Sequence, residues 1–245
     1  MPVLLHSDVG LVKGIGFDSW RRVGTAMPAV KVYNLREVDE LVFLDVNATR
    51  RGRAIDLGIV EDIAGECFVP LTVGGGIRDV DDVRRLLMAG ADKISINTAG
   101  VRDPALIGRV ADRFGSQCVV ASVDARLQAE RYEVWTHAGT VETGLDPVEV
   151  SLAAEAMGAG EILITSIDRD GTMTGYDIEL VRRVAEAVKI PVIASGGAGT
   201  YEHMVQVLEE TNATAVAAAS MFHFTQQTPR EAKRFLARKG FAVRL

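Results

Sequence analysis

Eight short runs of nearly continuous apolar residues, many of them β-branched, recur along this chain, with helix-like amphipathic stretches between them. The runs are Val3–His6, Leu41–Val46, Pro70–Val73, Lys93–Ile96, Cys118–Val123, Ile162–Ser166, Pro191–Ser195 and Thr214–Ala219. They do not alternate apolar with polar as half-buried strands do, so each is expected to be covered on both faces, like a parallel strand under helices. Asp79–Met88, Pro104–Phe114, Pro147–Met157, Ile178–Val188 and His203–Glu210 supply helical crossovers. Eight strands, each followed by a helix, is the count that closes a (βα)8 TIM barrel, and 245 residues suffice for one such α/β domain over 1–245. An open doubly wound sheet is the weaker alternative, because no Gly-x-Gly-x-x-Gly turn follows the first strand. Tyr132–His137 reads as one strand of a small hairpin inserted after strand five.

An internal repeat supports the barrel. Leu44-Asp45, Val73-Gly74-Gly75-Gly76 and Ser95-Ile96-Asn97-Thr98 have counterparts in Ile167-Asp168, Ala194-Ser195-Gly196-Gly197 and Ala219-Ser220. Asp45 to Gly75 is 30 residues and Asp168 to Gly197 is 29, one βαβ unit in each case. The chain therefore reads as a duplicated half-barrel with equivalent sites facing each other across the axis.

In such barrels chemistry sits on the loops after the C-terminal strand ends. Glycine clusters fall there, Gly74–Gly76 after strand three and Gly196-Gly197-Ala198-Gly199 after strand seven. Glycine lets the backbone approach a ligand and aim successive N–H groups at an anion. Gly75 and Gly76 with Asn97 and Thr98 form one candidate phosphate site; Ser195, Gly196, Gly197 and Gly199 with Ser220 form the other. Tight βα turns alone would also use glycine, but two symmetric clusters, each beside a hydroxyl or amide donor, favour a ligand with two phosphates. Acidic residues share the rim: Asp45 ending strand two, Asp124 closing strand five, and Asp168 and Asp170 in Ser-Ile-Asp-Arg-Asp-Gly-Thr, with Gly171 and Thr172 beside them. A carboxylate closing an apolar strand is costly to bury and points to chemistry or a ligand, with a loop cap as the plain alternative. Lys13, in Gly-Leu-Val-Lys-Gly after strand one, is either a candidate anion contact or a solvated lysine.

Composition narrows the classes. A net charge of −6, with no basic stripe interleaved with aromatics, argues against nucleic-acid binding. Arg50-Arg51-Gly52-Arg53 is the densest basic cluster, either a solvated loop or a contact to an anionic ligand. No membrane span or signal peptide is evident, so a cytoplasmic location is expected. His6, His137, His203 and His223 share no ligand spacing, and neither a metal nor a cofactor is expected. Cys67 and Cys118 read as free thiols beside strands.

Six segments stand out together: Val-Asp-Glu-Leu-Val-Phe-Leu-Asp (38–45), Thr-Val-Gly-Gly-Gly-Ile (72–77), Gly-Ala-Asp-Lys-Ile-Ser-Ile-Asn-Thr-Ala (90–99), Phe-Gly-Ser-Gln (114–117), Gly-Ala-Gly-Glu-Ile-Leu-Ile-Thr-Ser-Ile-Asp-Arg-Asp-Gly-Thr (158–172) and Ala-Ser-Gly-Gly-Ala-Gly (194–199). They resemble the cyclase subunit of imidazole glycerol phosphate synthase, the HisF-type family. The resemblance implies a lyase-type cyclase that takes ammonia from a HisH-like glutaminase on the N-terminal barrel face. The ammonia passes through the core to a bis-phosphorylated small-molecule substrate at the C-terminal rim. By the same resemblance Asp124 is the second catalytic aspartate, Asp170 shapes the site, and Glu40, Lys93 and Glu161 belong to a charged ring gating the ammonia channel. The ring's arginine falls before Met1 in this alignment.

The match departs at strand one, where the family's first catalytic aspartate aligns without gaps to Leu5. A leucine exchanges no protons, which removes half of an acid–base pair. Deleting three residues after strand one instead aligns Asp8 with that aspartate. Pro-Val-Leu-Leu (2–5), Ala-Val-Lys-Val-Tyr-Asn (29–34) and Thr-Gly-Leu-Asp-Pro-Val-Glu (143–149) are similar to a divergent branch associated with sugar amidation, in which the barrel works with a glutaminase and a separate amidotransferase. Three expectations follow: a diverged ammonia-delivering paralogue, a genuine histidine-pathway cyclase using Asp8 and Asp124, or a non-catalytic activator of the glutaminase.

Overall fold

A computed structural model describes residues 1–245. In chain order the strands are β1 Val3–Ser7, β2 Gly10–Ile15, β3 Asp18–Gly24, β4 Leu41–Asp45, β5 Leu71–Gly74, β6 Lys93–Ile96, β7 Val119–Gln128, β8 Arg131–Thr136, β9 Val141–Glu142, β10 Glu161–Ser166, β11 Val192–Ser195 and β12 Ala215–Val216. The helices are α1 Ala26–Leu35, α2 Leu57–Glu66, α3 Val80–Met88, α4 Thr98–Arg102, α5 Ala105–Phe114, α6 Pro147–Ala156, α7 Ile178–Ala187, α8 Tyr201–Glu210, α9 Ser220–Phe224 and α10 Pro229–Arg238. No helix is long and apolar enough to cross a membrane.

Eight strands form the parallel wall in the order β1-β4-β5-β6-β7-β10-β11-β12. The ring closes where Pro2 and Ala218 bridge in parallel, through Val3 N–H to Ala218 O and Ala218 N–H to Met1 O, both at 3.0 Å. This is the TIM-type (βα)8 architecture. Local chemistry starts the helices where the sequence suggests. Asp79, Asp146 and Asp177 cap α3, α6 and α7 by accepting backbone N–H bonds, and Pro147 and Pro229 occupy first-turn positions that need no N–H.

Alternation along each strand separates two layers. Leu41, Phe43, Leu71, Val73, Ile94, Ile162 and Ile164 point outward into the large core beneath the helices. Val3, Leu5, Val42, Val120, Leu163, Ile193 and Ala217 form a smaller cluster on the barrel axis. On β5, β6, β7, β10 and β11 the same inward register carries Thr72, Ser95, Ser122, Thr165 and Ser195. The barrel interior is therefore half apolar and half hydroxyl-lined.

Residues 10–24, where the sequence pattern marks no strand, are extended. They form an antiparallel ribbon, β2 and β3, folded onto β1 with Leu5 opposite Val12 and Lys13 opposite Arg21. Gly10, Gly14, Gly16 and Gly24, interspersed with charge, hide the strand pattern there. The expected hairpin after strand five is present: β7 runs on to Gln128 and β8 folds back, with Asp124 opposite Trp135.

Strand register refines the repeat. Leu44 pairs with Gly74 as Thr165 pairs with Ser195, and His6 pairs with Asp45 as Ala125 pairs with Ser166. The counterpart of Asp45 is thus Ser166, not Asp168, which lies two residues beyond the end of β10. Since Leu5 pairs with Leu44 as Asp124 pairs with Thr165, the counterpart of Asp124 is Leu5.

Candidate active site at the C-terminal rim

Gly75 of the first glycine cluster and Gly196, which opens the second, occupy matching places. Gly75 and Gly196 have φ of 114° and 91°, and a Cβ on either would overlap the carbonyl oxygen ending the preceding strand of the wall, Asp45 O and Ser166 O respectively. Only glycine fits both demands. The chain turns sharply there and opens a cavity at the strand ends. Lining it are Lys13, Gly75, Gly76, Asn97, Thr98 and Asp124 from one arc, and Asp170, Gly171, Ser195, Gly196, Gly197 and Ser220 from the other. The buried Ser220 hydroxyl has no hydrogen-bond partner within the chain, which marks it as a donor available to a ligand.

Asp124 reaches the cavity from the end of the barrel section of β7. Its carboxyl is held up at about 7, first by burial and then by the nearby Asp170 carboxylate, against a lowering hydrogen bond from Thr165. Asn97 Nδ2 donates to Asp124 Oδ2 at 3.2 Å. Asp170 follows β10; burial pushes its carboxyl above the ordinary range, and Lys13 opposes that shift. Lys13 is itself 1% exposed, with its Nζ 2.5 Å from Asp170 Oδ2, so the ribbon delivers a buried cation into the cavity. Gly16 N–H donates to Asp170 O at 2.9 Å and fastens the same ribbon. A proton-exchanging carboxyl near neutrality, a buried lysine and two glycine cradles suit acid–base chemistry on an anionic ligand.

Four predicted residues do not join this cavity. Asp8 sits in the β1–β2 turn, 40% exposed at its side chain, paired with Arg51 at 2.5 Å and Arg53 at 3.2 Å. Asp168 is exposed and accepts from Leu127 N–H at 2.8 Å outside the cavity. Thr172 is tied to Arg169 O and Thr174 within its own loop, and Gly199 packs against the Met173 backbone. Asp45 lines the cavity, but its carboxylate caps the following loop, accepting from Asn47 and Ala48 N–H at 3.0 Å and pairing with Arg53 at 2.8 Å. Two arginines of the 50–53 cluster are thereby engaged with carboxylates of this chain. The aromatic wall, Phe17 and Trp20, was not anticipated from the sequence. Two aromatics in a glycine-punctuated segment were its only signal.

At the opposite end, Lys93 Nζ donates to Glu40 Oε2 at 2.8 Å and Glu161 Oε1 at 2.7 Å. Burial alone would lower this ammonium, but the bonds to Glu161 and Glu40 outweigh it and hold the lysine above its ordinary value. These residues join the starts of β4, β6 and β10 across the N-terminal mouth.

Residues 5–228 match the family model described as Histidine biosynthesis protein. That match spans the ribbon, both glycine cradles and Asp124, and the chain belongs to this enzymatic family of histidine biosynthesis proteins.

Proposed function

We propose that the barrel receives ammonia from a glutaminase docked on its N-terminal face and delivers it to a bis-phosphorylated ligand at the C-terminal rim. In this reading it serves sugar amidation, beside a separate amidotransferase, and does not close an imidazole ring. The carrying observation is that Leu5 stands at the register counterpart of Asp124, so the cavity holds an acid–base carboxyl on one half only. Several features support the path. The Glu40–Lys93–Glu161 bridge spans the mouth, and Thr72, Ser95, Ser122 and Thr165 face inward between it and Asp124. The Thr72 hydroxyl is buried without a partner, a suitable station for a small polar guest. Leu35, Phe68 and Met88 are 75%, 80% and 76% exposed on successive turns at the N-terminal face, where a partner would cover them.

The test is a cyclase assay on the purified barrel, with the bis-phosphorylated formimino-ribulosyl precursor of the histidine pathway and excess ammonium salt. The expected result is binding of the precursor without turnover. Robust turnover, lost in Asp8→Asn and in Asp124→Asn, would instead make the chain a genuine cyclase. That outcome requires Asp8 to leave Arg51 and Arg53 and enter the cavity. Glutaminase stimulation that survives Asp124→Asn would assign a purely activating role.

A further inference from the structure

We propose that Asn97 is a positioning residue that commits one oxygen of Asp124, Oδ2, to accepting a hydrogen bond and leaves Oδ1 to carry the exchangeable proton. The inference rests on Asp124 being the acid–base group of the function proposed above, and adds to it which oxygen does the work.

The argument is one of hydrogen-bond direction. A backbone N–H only donates, so His137 N–H must give its proton to Thr98 Oγ1, 3.0 Å away. The Thr98 hydroxyl then turns its own hydrogen elsewhere, and Asn97 Oδ1 is the acceptor at 3.1 Å. That contact pairs the Thr98 hydrogen with the oxygen end of the Asn97 amide. The orientation of the amide is fixed by Ser122 O, which only accepts and lies 3.0 Å from Asn97 Nδ2. With that orientation set, the amide presents N–H and never C=O to Asp124 Oδ2. The carbonyl oxygen of a protonated carboxyl accepts an N–H better than its hydroxyl oxygen does, so the fixed Asn97 donor favours the proton of Asp124 on Oδ1. The Thr165 hydroxyl beside the same carboxyl can turn from donor to acceptor.

The relay exists once. At the counterpart positions, Leu5 has no carboxylate and Ala219 no amide, and the Ser220 hydroxyl is left without a partner. Its outer end is held by the β8–β9 turn, where His137, Ala138 and Gly139 all take positive φ, at 53°, 53° and 74°. Two consecutive non-glycine residues in that region are strained, so the surrounding structure must hold the turn in place. The charged groups that face Asp124 are Asp170, from the loop after β10, and its partner Lys13, from β2; both are untouched by changes at Asn97.

The experiment is a pH titration of the Asp124 side-chain carboxyl by carbon-13 NMR on the full chain, in wild type, Asn97→Ala, Thr98→Val and Thr98→Ser. A hydrogen bond to a charged acceptor, converted to proton affinity, predicts that Asn97→Ala raises the midpoint by about one unit. Thr98→Val should raise it by less, and Thr98→Ser should restore the wild-type value. A purely structural Asn97 would change stability and leave the midpoint alone. An unmoved midpoint in folded Asn97→Ala overturns the proposal. If that variant does not fold, equal midpoints for Thr98→Val and Thr98→Ser overturn it. Because ionisation is read directly, absence of turnover on any substrate bears on the proposed function and not on this result.

Discussion

Asp124 keeps its proton at pH values where ordinary carboxyls have lost theirs, and this has a cost to the fold. Its folded value of about 7 lies above the ordinary 3.8, so the folded chain holds a proton that the unfolded chain releases. The stabilising contribution of that proton is complete below the unfolded value and disappears as pH rises through the folded one. Asp124→Asn should therefore match wild type in thermal stability near pH 4 and exceed it near pH 8, by up to a few kcal/mol. Thermal unfolding at the two pH values decides it. A gap that is the same at both would mean that the carboxyl is far better solvated than its burial implies. The place of Asp124 in the cavity was legible because a carboxylate closing an apolar run has few plain explanations. Asp45 carried the same signal, yet it caps a loop, since the two N–H groups that consume it belong to a turn no spacing rule describes. Residue counting pairs Asp168 with Asp45, but β10 ends at Ser166 and the chain turns before Asp168 is reached.

The barrel strands were legible as elements because each is buried on both faces and therefore reads as a continuous apolar run. The β2–β3 ribbon was not. It lies over the rim and exposes much of its surface, and Phe17 and Ser19 adopt φ of 62° and 53° that ordinary strand patterns exclude. It pairs with β1 and buries Leu11 and Val12, and its ties to the loop after β10 are a buried ion pair, Lys13 with Asp170, together with the Gly16 bond. Removing one partner of such a pair strands the other charge in the interior, so Lys13→Met should cost about 3–5 kcal/mol in denaturant unfolding. Replacing both partners with apolar residues, in Lys13→Met/Asp170→Leu, should recover most of that loss. A single variant as stable as wild type would mean that the ribbon swings clear and water reaches Asp170. Hydrogen exchange across residues 10–24 would register that opening.

Across the whole molecule, two half-barrels share a backbone plan and differ in what they present to the cavity. Both place a glycine against the carbonyl ending the preceding strand of the wall, and both continue into an antiparallel hairpin, after β1 and after β7. One half ends its strand in Asp124 and the other in Leu5, which belongs to an apolar patch with Val3, Val12, Leu44 and Trp20. Leu5→Asp would return a carboxyl to the register position facing Asp124 across the axis. Loss of packing at this buried site should cost roughly 2–5 kcal/mol, by comparison with other truncations of buried leucines. If the missing carboxyl is what separates this chain from a ring-closing cyclase, the folded variant should turn over the bis-phosphorylated precursor with ammonium salt where wild type does not. That gain should vanish again in Leu5→Asp/Asp124→Asn, since an acid–base pair needs both members. A Leu5→Asp protein that folds, binds the precursor and stays inert would instead assign the divergence to the apolar wall as a unit. Leu44 and Trp20 would then shape a ligand for which a second carboxyl has no use.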